Sequence, residues 1–219
     1  MNLFLEACCT TLEEVRLAEA DGASRIELCE DLSCGGITPS TGLLKTVLCG
    51  TRLPVNVLVR PAMPSVRPGL PFDDPSQYVY SAENAELMLA QIASCHETGA
   101  EGIVAGALLP DGSIDLELTK RIVDAANPLP VTFHKAFDAC AWPFETLEQI
   151  ISAGCARILT SGCAPTALEG AELIAKLVRQ AGNRIVIMPG GHIRPGNISR
   201  ISEITKALEY HAASAYFAG

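Results

Sequence analysis

Basic residues are few in this sequence, and they form no run. The chain has 16 Lys and Arg against 25 Asp and Glu, which gives a formal net charge of −9. Because nucleic-acid binding needs a Lys/Arg surface, we expect no nucleic-acid partner. No uncharged apolar stretch approaches the roughly 18 residues of a membrane span, so no membrane association is expected either. The first ten residues contain Glu6 and no Lys or Arg, which is unlike a secretory signal.

The cysteine spacings that mark zinc knuckles and redox motifs are also absent. The nine cysteines include no Cys-x-x-Cys pair, and an odd number does not indicate a disulfide framework. These features are typical of a cytoplasmic protein. A length of 219 residues suits one domain over residues 1–219, because α/β barrels of about 200–250 residues fold as a single unit.

Short apolar runs alternate with amphipathic segments along the chain. Such runs, bounded by turn signals, are typical of strands buried on both faces. The predicted strands are Leu3–Ala7, Arg25–Leu28, Val55–Val59, Gly102–Ala105, Val131–Phe133, Arg157–Thr160, Ile185–Met188 and Leu208–Ala212. Capping residues precede the helical segments, and glycine directly follows several of them. The predicted helices begin after Thr11 and Ser81 and cover Ser40–Leu48, Asp115–Ala126, Phe144–Ala153, Thr166–Ala181 and Asn197–Leu208.

Eight strands that alternate with helices predict a parallel (β/α)8 TIM barrel. A doubly wound open sheet is the alternative, and it is less favoured because no Gly-x-Gly-x-x-Gly follows the first strand. The eighth strand begins near residue 208 of 219, which leaves no room for an eighth helix. We therefore expect a barrel without its final helix, and an uncovered flank between the first and last helices.

The segment Arg60–Ser81 is the one long loop between predicted elements, and it contains five prolines. It follows the third strand, so it would lie over the carboxyl-terminal mouth of the barrel. A lid or substrate loop is one interpretation, and an insertion without function is the other.

Polar side chains lie near the carboxyl ends of the predicted strands, where barrels place their active sites. These candidate catalytic residues are Glu6, Glu27, Arg60, His134 and His211. Charges inside strands are costly unless they are paired, so structural pairing, for example of a glutamate with Arg60, is one interpretation. A shared acid–base and anion-binding pocket is the other. Asp138 could orient the His134 imidazole or cap the next helix.

Two turns that contain glycine follow the sixth and seventh strands. They read Thr160-Ser161-Gly162 and Met188-Pro189-Gly190-Gly191-His192. Barrels often bind phosphate with such turns, because glycine lets the backbone approach the anion closely. Ser161, Gly162, Gly190 and Gly191 are therefore candidate anion-binding residues, and plain tight turns are the alternative.

Four cysteines lie at or after the first two strands, at positions 8, 9, 29 and 34. Soft thiolates select Cu(I) or Zn, and His134 or His211 could join them. Core packing is the alternative, because free cysteine is among the most buried residue types. A nucleophilic pair of Cys8 or Cys29 with His134 is a further interpretation. Lys135 follows His134 on the opposite face of the strand, so no Schiff-base role is expected.

Several motifs, in order along nearly the whole chain, resemble the CutC family. They are Arg25-Ile-Glu-Leu-Cys29, Gly35-Gly-Ile-Thr-Pro-Ser40, Asp111-Gly-Ser-Ile-Asp115, Val131-Thr-Phe-His-Lys-Ala-Phe-Asp138, Arg157-Ile-Leu-Thr-Ser-Gly162 and Ile187-Met-Pro-Gly-Gly191. The resemblance implies a TIM barrel, a cytoplasmic location, a homodimer and a role in copper homeostasis. It also implies copper(I) binding by the cysteines that match Cys8 and Cys29.

Two functional hypotheses therefore stand side by side. The first is a copper(I)-binding protein of copper homeostasis. The second is a TIM-barrel enzyme, a lyase, isomerase or hydrolase, that acts on a small anionic or phosphorylated substrate at the mouth of the barrel. A scaffold whose acidic surface binds a partner is a third possibility, but no motif supports it.

Overall fold

The computed structural model describes residues 3–69, 71 and 73–217. Within these residues, eight strands alternate with seven α-helices. The strands are β1 Phe4–Cys9, β2 Arg25–Leu28, β3 Val55–Leu58, β4 Gly102–Ala105, β5 Val131–Phe133, β6 Arg157–Thr160, β7 Val186–Pro189 and β8 Glu209–Ala213. The helices are α1 Leu12–Ala20, α2 Thr41–Gly50, α3 Ala82–Thr98, α4 Leu116–Ala126, α5 Pro143–Ala153, α6 Ala171–Ala181 and α7 Ile198–Thr205.

The strands form one parallel sheet that curls into a nearly closed barrel. They follow chain order from β1 to β7, and β8 pairs with β1 on the other side. A parallel bridge between Gly190, directly after β7, and His211 in β8 connects the two edges of the sheet. The TIM-barrel prediction is confirmed, and each predicted strand agrees with an observed strand to within two residues at either end. The doubly wound alternative is wrong.

Two predicted helices are shorter than expected. Helix α6 begins at Ala171 rather than Thr166, because the chain first makes a close turn in which Gly170 packs on the backbone of Ser161. Helix α7 ends at Thr205, where Lys206 takes a left-handed conformation with φ of 56°. After β8 the structure describes a 3-10 turn and no eighth helix, as predicted. In the described part of the chain, no helix is both long and apolar enough to cross a bilayer.

The long loop after β3 packs against the mouth of the barrel. It contains a 3-10 helix, Pro75–Tyr78, in which Gln77 and Tyr78 are buried. Arg60 donates a hydrogen bond to the side-chain oxygen of Gln77, which ties the loop to the end of β3. Two residues of the predicted lid, at positions 70 and 72, lie outside the described residues, as do the ends of the predicted domain at positions 1, 2, 218 and 219.

The two faces of the sheet differ in chemistry. Outward-facing residues such as Ala7, Ile26 and Val57 are fully buried against the helices and form the main hydrophobic core. Inward-facing positions hold buried charged and polar side chains, beside a small apolar cluster of Cys8, Cys29, Leu58 and Val104. Barrel interiors are usually filled with branched apolar side chains. The polar interior therefore carries a desolvation cost that its charges must offset by pairing.

A network of ion pairs inside the barrel provides this pairing. Glu6 Oε2 lies 2.5 Å from Arg25 Nε, and Arg25 Nη2 lies 2.7 Å from Glu209 Oε2. Arg157 Nε adds a second cation 3.0 Å from the same Glu209 oxygen. The expected pairing of a glutamate with Arg60 is wrong. Glu6 lies directly opposite Arg25 in the β1–β2 register, whereas Arg60 follows the far end of β3.

Replacing Arg25 with Met should lower the free energy of unfolding by about 3–5 kcal/mol, because it removes a cation from a fully buried carboxylate. Urea denaturation would measure the loss. Arg121→Met is the matched control, since Arg121 pairs with Glu86 on the surface, and it should cost less than about 1 kcal/mol. Equal losses in the two variants would contradict a structural role for the network.

Candidate functional site

A cavity of about 450 Å³ opens at the carboxyl-terminal mouth of the barrel. This volume is within the usual range of about 300–1,000 Å³ for small-molecule sites. The sequence candidates that line it are Cys8, Glu27, Arg60, His134, Gly191 and His211. The long loop contributes Gln77 and Tyr78, which supports its interpretation as part of a binding site. The barrel thus brings residues from both ends of the chain into one pocket.

Two cysteines from neighbouring strands meet beside this cavity. Cys8 Sγ lies 3.7 Å from Cys29 Sγ. Cys8 is opposite Glu27 in the β1–β2 register, and Cys29 is two residues after Glu27, so the two cysteines face the same side of the sheet. Cys9 points the other way, into the hydrophobic core. Cys34 also lines the cavity, but its thiol donates to the carbonyl oxygen of Asp31.

A glutamate and a histidine complete a possible metal cluster with Cys8. One ligand atom each from Cys8, Glu27 and His211 lies within 4.8 Å of the others. His211 Nδ1 is 2.9 Å from Glu6 Oε1 and 3.8 Å from Glu27 Oε2. The sequence predicts His211 as a possible metal ligand but Glu27 only as an acid–base residue. Glu27 and Cys29 are two residues apart in sequence and therefore face the same side of the sheet. This spacing is the sequence feature that indicates that Glu27 lies near the cysteines.

The pKa values of the ionisable residues in and beside this cluster shift in different directions. Burial alone would raise the pKa of Glu6, but the hydrogen bond and charge of His211, together with Arg25, lower it to about 2. Burial raises the pKa of Glu27 to about 7, despite the nearby charge of His211. Burial disfavours the charged form of His211, yet the charge of Glu27 and hydrogen bonds to Cys8 and Glu6 raise its pKa well above the usual value. At neutral pH, Glu6 and His211 therefore form an ion pair.

His134 lies in a different environment at the same cavity. Its Nδ1 accepts a hydrogen bond from the backbone N–H of Ala136, while its Nε2 has no partner among the described residues. Burial and the positive charge of Arg60 lower the pKa of His134 to about 3. The ring is therefore neutral at physiological pH, and its proton lies on Nε2.

Both interpretations of Asp138 are wrong. Its carboxylate contacts neither His134 nor the start of α5, and instead accepts hydrogen bonds from the backbone N–H groups of Ser161 and Cys163 at 3.0 Å. The Ser161 hydroxyl donates to the same carboxylate at 2.9 Å. Because Asp138 lies in a 3-10 helix directly after His134, its side chain reaches the β6 turn rather than the imidazole. Asp138 therefore holds this turn in place.

Lys135 was not among the predicted site residues, but it lines the cavity. The chain turns into the 3-10 helix directly after β5, so the alternation that placed Lys135 on the outer face ends at His134. Lys135 Nζ lies 3.0 Å from both Asp138 Oδ2 and Ser161 Oγ. The spacing of three residues between Lys135 and Asp138 was the only sequence signal for this pair.

The two glycine turns use most of their backbone amides internally. The amide of Gly162 donates to Thr160 Oγ1, and that of Gly190 donates to the Thr160 carbonyl. A Cβ on Gly162 would lie 2.4 Å from the Gly170 carbonyl oxygen, so this glycine is required by close packing. The amides of Ser161, Gly162 and Gly190 are therefore unavailable to an anion, contrary to expectation. Gly191, the fourth candidate in these turns, lines the cavity.

The sequence model of the CutC family matches residues 3–216 of this chain. The chain belongs to the CutC family. The match covers every strand of the barrel and all of the candidate site residues. The family resemblance seen in the sequence motifs is therefore confirmed.

Curated relatives extend over nearly the whole chain. The human copper homeostasis protein cutC homolog is 44% identical over 213 residues, which is 97% of this chain and 74% of that protein. A family protein CutC from Parabacteroides distasonis is 42% identical over 215 residues, with coverage of 98% and 84%. These relatives are longer than this chain, and their alignments cover nearly all of it.

Solved structures give the same result. The CutC structure from Streptococcus agalactiae superposes with a TM-score of 0.84 at 29% identity, and covers 96% of this chain and 98% of that chain. An aldolase, QR15, matches with a TM-score of 0.63 at 15% identity, and covers 99% and 91%. The second likeness shows only that the two proteins share a fold.

The protonation state of His134 can be tested by NMR of isotope-labelled histidine. The His134 ring should keep the signals of a neutral Nε2–H imidazole from about pH 8 to about pH 5, a range in which an unperturbed histidine with a pKa of about 6.5 becomes protonated. The variant His134→Gln would assign its signals by their loss. Protonation of His134 near the unperturbed value would contradict the buried, Arg60-facing environment.

Proposed function

We propose that this protein binds copper(I) through Cys8 and Cys29 and takes part in copper homeostasis. The observation that carries the proposal is the 3.7 Å approach of the two sulfur atoms beside an open cavity. The names of the human and Streptococcus agalactiae relatives favour this hypothesis over the enzyme alternative.

The donor set at this position suits Cu(I). Thiolate sulfur is a soft ligand and selects Cu(I), zinc or iron–sulfur centres over hard cations. Two sulfurs that each lie about 2.3 Å from one metal can be at most about 4.6 Å apart, and Cys8 and Cys29 meet this condition without movement of the backbone. The residues present therefore fit a thiolate-bound metal ion.

Glu27 and His211 add further donors beside the two thiols. Glu27 Oε2 is buried and has no hydrogen-bond partner among the described residues. Such an atom is costly unless a ligand or ion satisfies it. The His211 ring contacts Glu6 through Nδ1, and one of its ring nitrogens lies within 4.8 Å of Cys8 Sγ. Oriented neighbours of this kind are typical of metal centres, where they fix the first ligands.

The wild-type protein should take up Cu(I) in a near-stoichiometric amount against a competing Cu(I) chelator, under anaerobic conditions. The double variant Cys8→Ser, Cys29→Ser should lose this uptake, because serine oxygen is a hard and weak ligand for Cu(I). The spectrum of the chelator complex would report the metal that the protein leaves behind.

Cys49→Ser is the matched control, since Cys49 is an exposed thiol on α2. This variant should keep the uptake of the wild type. Normal uptake by the double variant would show that other groups bind the metal, and an equal loss in Cys49→Ser would show that uptake is not specific to Cys8 and Cys29. Either result would overturn the proposal.

The proposal also places the protein in the cytoplasm. Copper binding at this position needs Cys8 and Cys29 as free thiols, and the structure has both in that form. Reducing compartments keep thiols unoxidised, whereas secreted proteins form disulfides. A cytoplasmic location therefore agrees with the chemistry of the site.

We further propose that two copies associate through the flank between α1 and β8. Leu17 on α1 is 51% exposed. Leu17→Glu should convert a dimer into a monomer in size-exclusion chromatography with light scattering. Leu87→Glu on α3 is the matched control, since Leu87 is 45% exposed on another side. A monomeric wild type would contradict the assignment.

A further inference from the structure

Arg60 is a buried cation that has no anionic partner among the described residues. The residue is only 3% exposed, and its guanidinium donates to the carbonyl oxygens of Cys34 and Gly36 and to the side-chain oxygen of Gln77. All three acceptors are neutral. Burying an ionised group is costly unless a charge of opposite sign compensates it. The site therefore has an unbalanced positive charge at the wall of the cavity.

The hydrogen bonds of Arg60 leave part of its guanidinium unused. A guanidinium carries five N–H donors in a fixed fork. Nη1 donates both of its hydrogens to backbone carbonyls, and Nη2 donates one to Gln77. The N–H on Nε is buried without an acceptor among the described residues. Arginine with free N–H groups is the preferred partner of carboxylate and phosphate oxygens.

A second unused donor lies on the same side of the cavity. His134 is 4% exposed, and its Nε2–H has no acceptor in the described part of the chain. The ring of Tyr78 lies between the two residues. Its centroid is 5.2 Å from that of His134 and 5.3 Å from Arg60 Cζ. One aromatic ring therefore holds the guanidinium and the imidazole as neighbours, and both line the cavity.

The charge around the cavity is opposite to the charge of the whole chain. The chain carries a formal charge of −9, yet Arg60, Arg67, Lys135 and Arg194 line the cavity, with Glu27 as the single carboxylate in the described lining. Lys135 is already paired with Asp138, so Arg60 is the buried cation without a carboxylate. A concave site with one sign of charge concentrates ligands of the opposite sign.

We propose that this cavity binds a small organic anion, with its carboxylate or phosphate group held by Arg60 and the Nε2–H of His134. The cavity of about 450 Å³ has room for a metabolite-sized molecule beyond the charged group. Arg60 follows β3, His134 follows β5, and Tyr78 belongs to the long loop. The site does not depend on the two cysteines or on copper.

Malonate, inorganic phosphate and uncharged malonamide can serve as probes in thermal-shift and calorimetric titrations at low ionic strength. The wild type should show saturable binding of malonate, phosphate or both, and none of malonamide. Binding of malonate alone identifies a carboxylate ligand, and binding of phosphate alone identifies a phosphorylated one. Absence of saturable binding by either anion, or equal binding of malonamide, would overturn the proposal.

Arg60→Met should weaken anion binding about tenfold or more, because a charged hydrogen bond of about 1.4 kcal/mol corresponds to that factor. Arg16→Met is the matched control, since it removes an exposed positive charge on α1, away from the cavity. Equal weakening in both variants would show a general charge effect and would overturn the assignment.

A second measurement does not depend on the folding of the Arg60 variant. In the wild type with isotope-labelled histidine, added anion should shift the Nε2–H signal of His134, which His134→Gln assigns. The signals of His96, which does not line the cavity, should stay unchanged. An unchanged His134 signal at saturating anion would place the ligand elsewhere and contradict the proposal.

Discussion

The interior of this barrel depends on one buried carboxylate. Glu6 is fully buried in the centre of β1, and its carboxylate forms ion pairs with Arg25 and His211. A lone carboxylate at this position would be strongly destabilising, so the two cations must stay in place while it is ionised. Arg25 extends this network to Glu209. Glu6 thus connects the ion pairs inside the barrel to the cysteine cluster at its mouth.

The mouth of the barrel divides into two chemically different halves. On the side of β1, β2 and β8, carboxylates surround His211 and favour its protonated form. On the side of β3 and β5, burial and Arg60 keep His134 neutral. The two histidines therefore differ in charge within one cavity, because their neighbours differ in charge. This division gives soft sulfur donors to one half and anion-binding groups to the other.

The turn after β6 resembles a phosphate-binding turn in sequence but binds a carboxylate of the protein itself. Ser161 and Gly162 have the composition of a phosphate-binding turn, but the carboxylate of Asp138 already accepts the amides of Ser161 and Cys163. An internal anion thus occupies the position that an external one would take. Among the described residues, Arg60 is the buried cation of the cavity whose hydrogen-bond acceptors are all neutral.

The sequence by itself determined the barrel and the identity of many cavity residues. Short apolar runs and glycine after helices are local signals, and they located all eight strands because burial on both faces leaves a continuous apolar run. Alternation along the strands also placed Glu27 and Cys29 on one face. Only the tertiary structure decided the partners of the charges. Arg25 rather than Arg60 pairs with Glu6, and Asp138 contacts the β6 turn, because strand register and the path of the chain after β5 bring together residues that are distant in sequence.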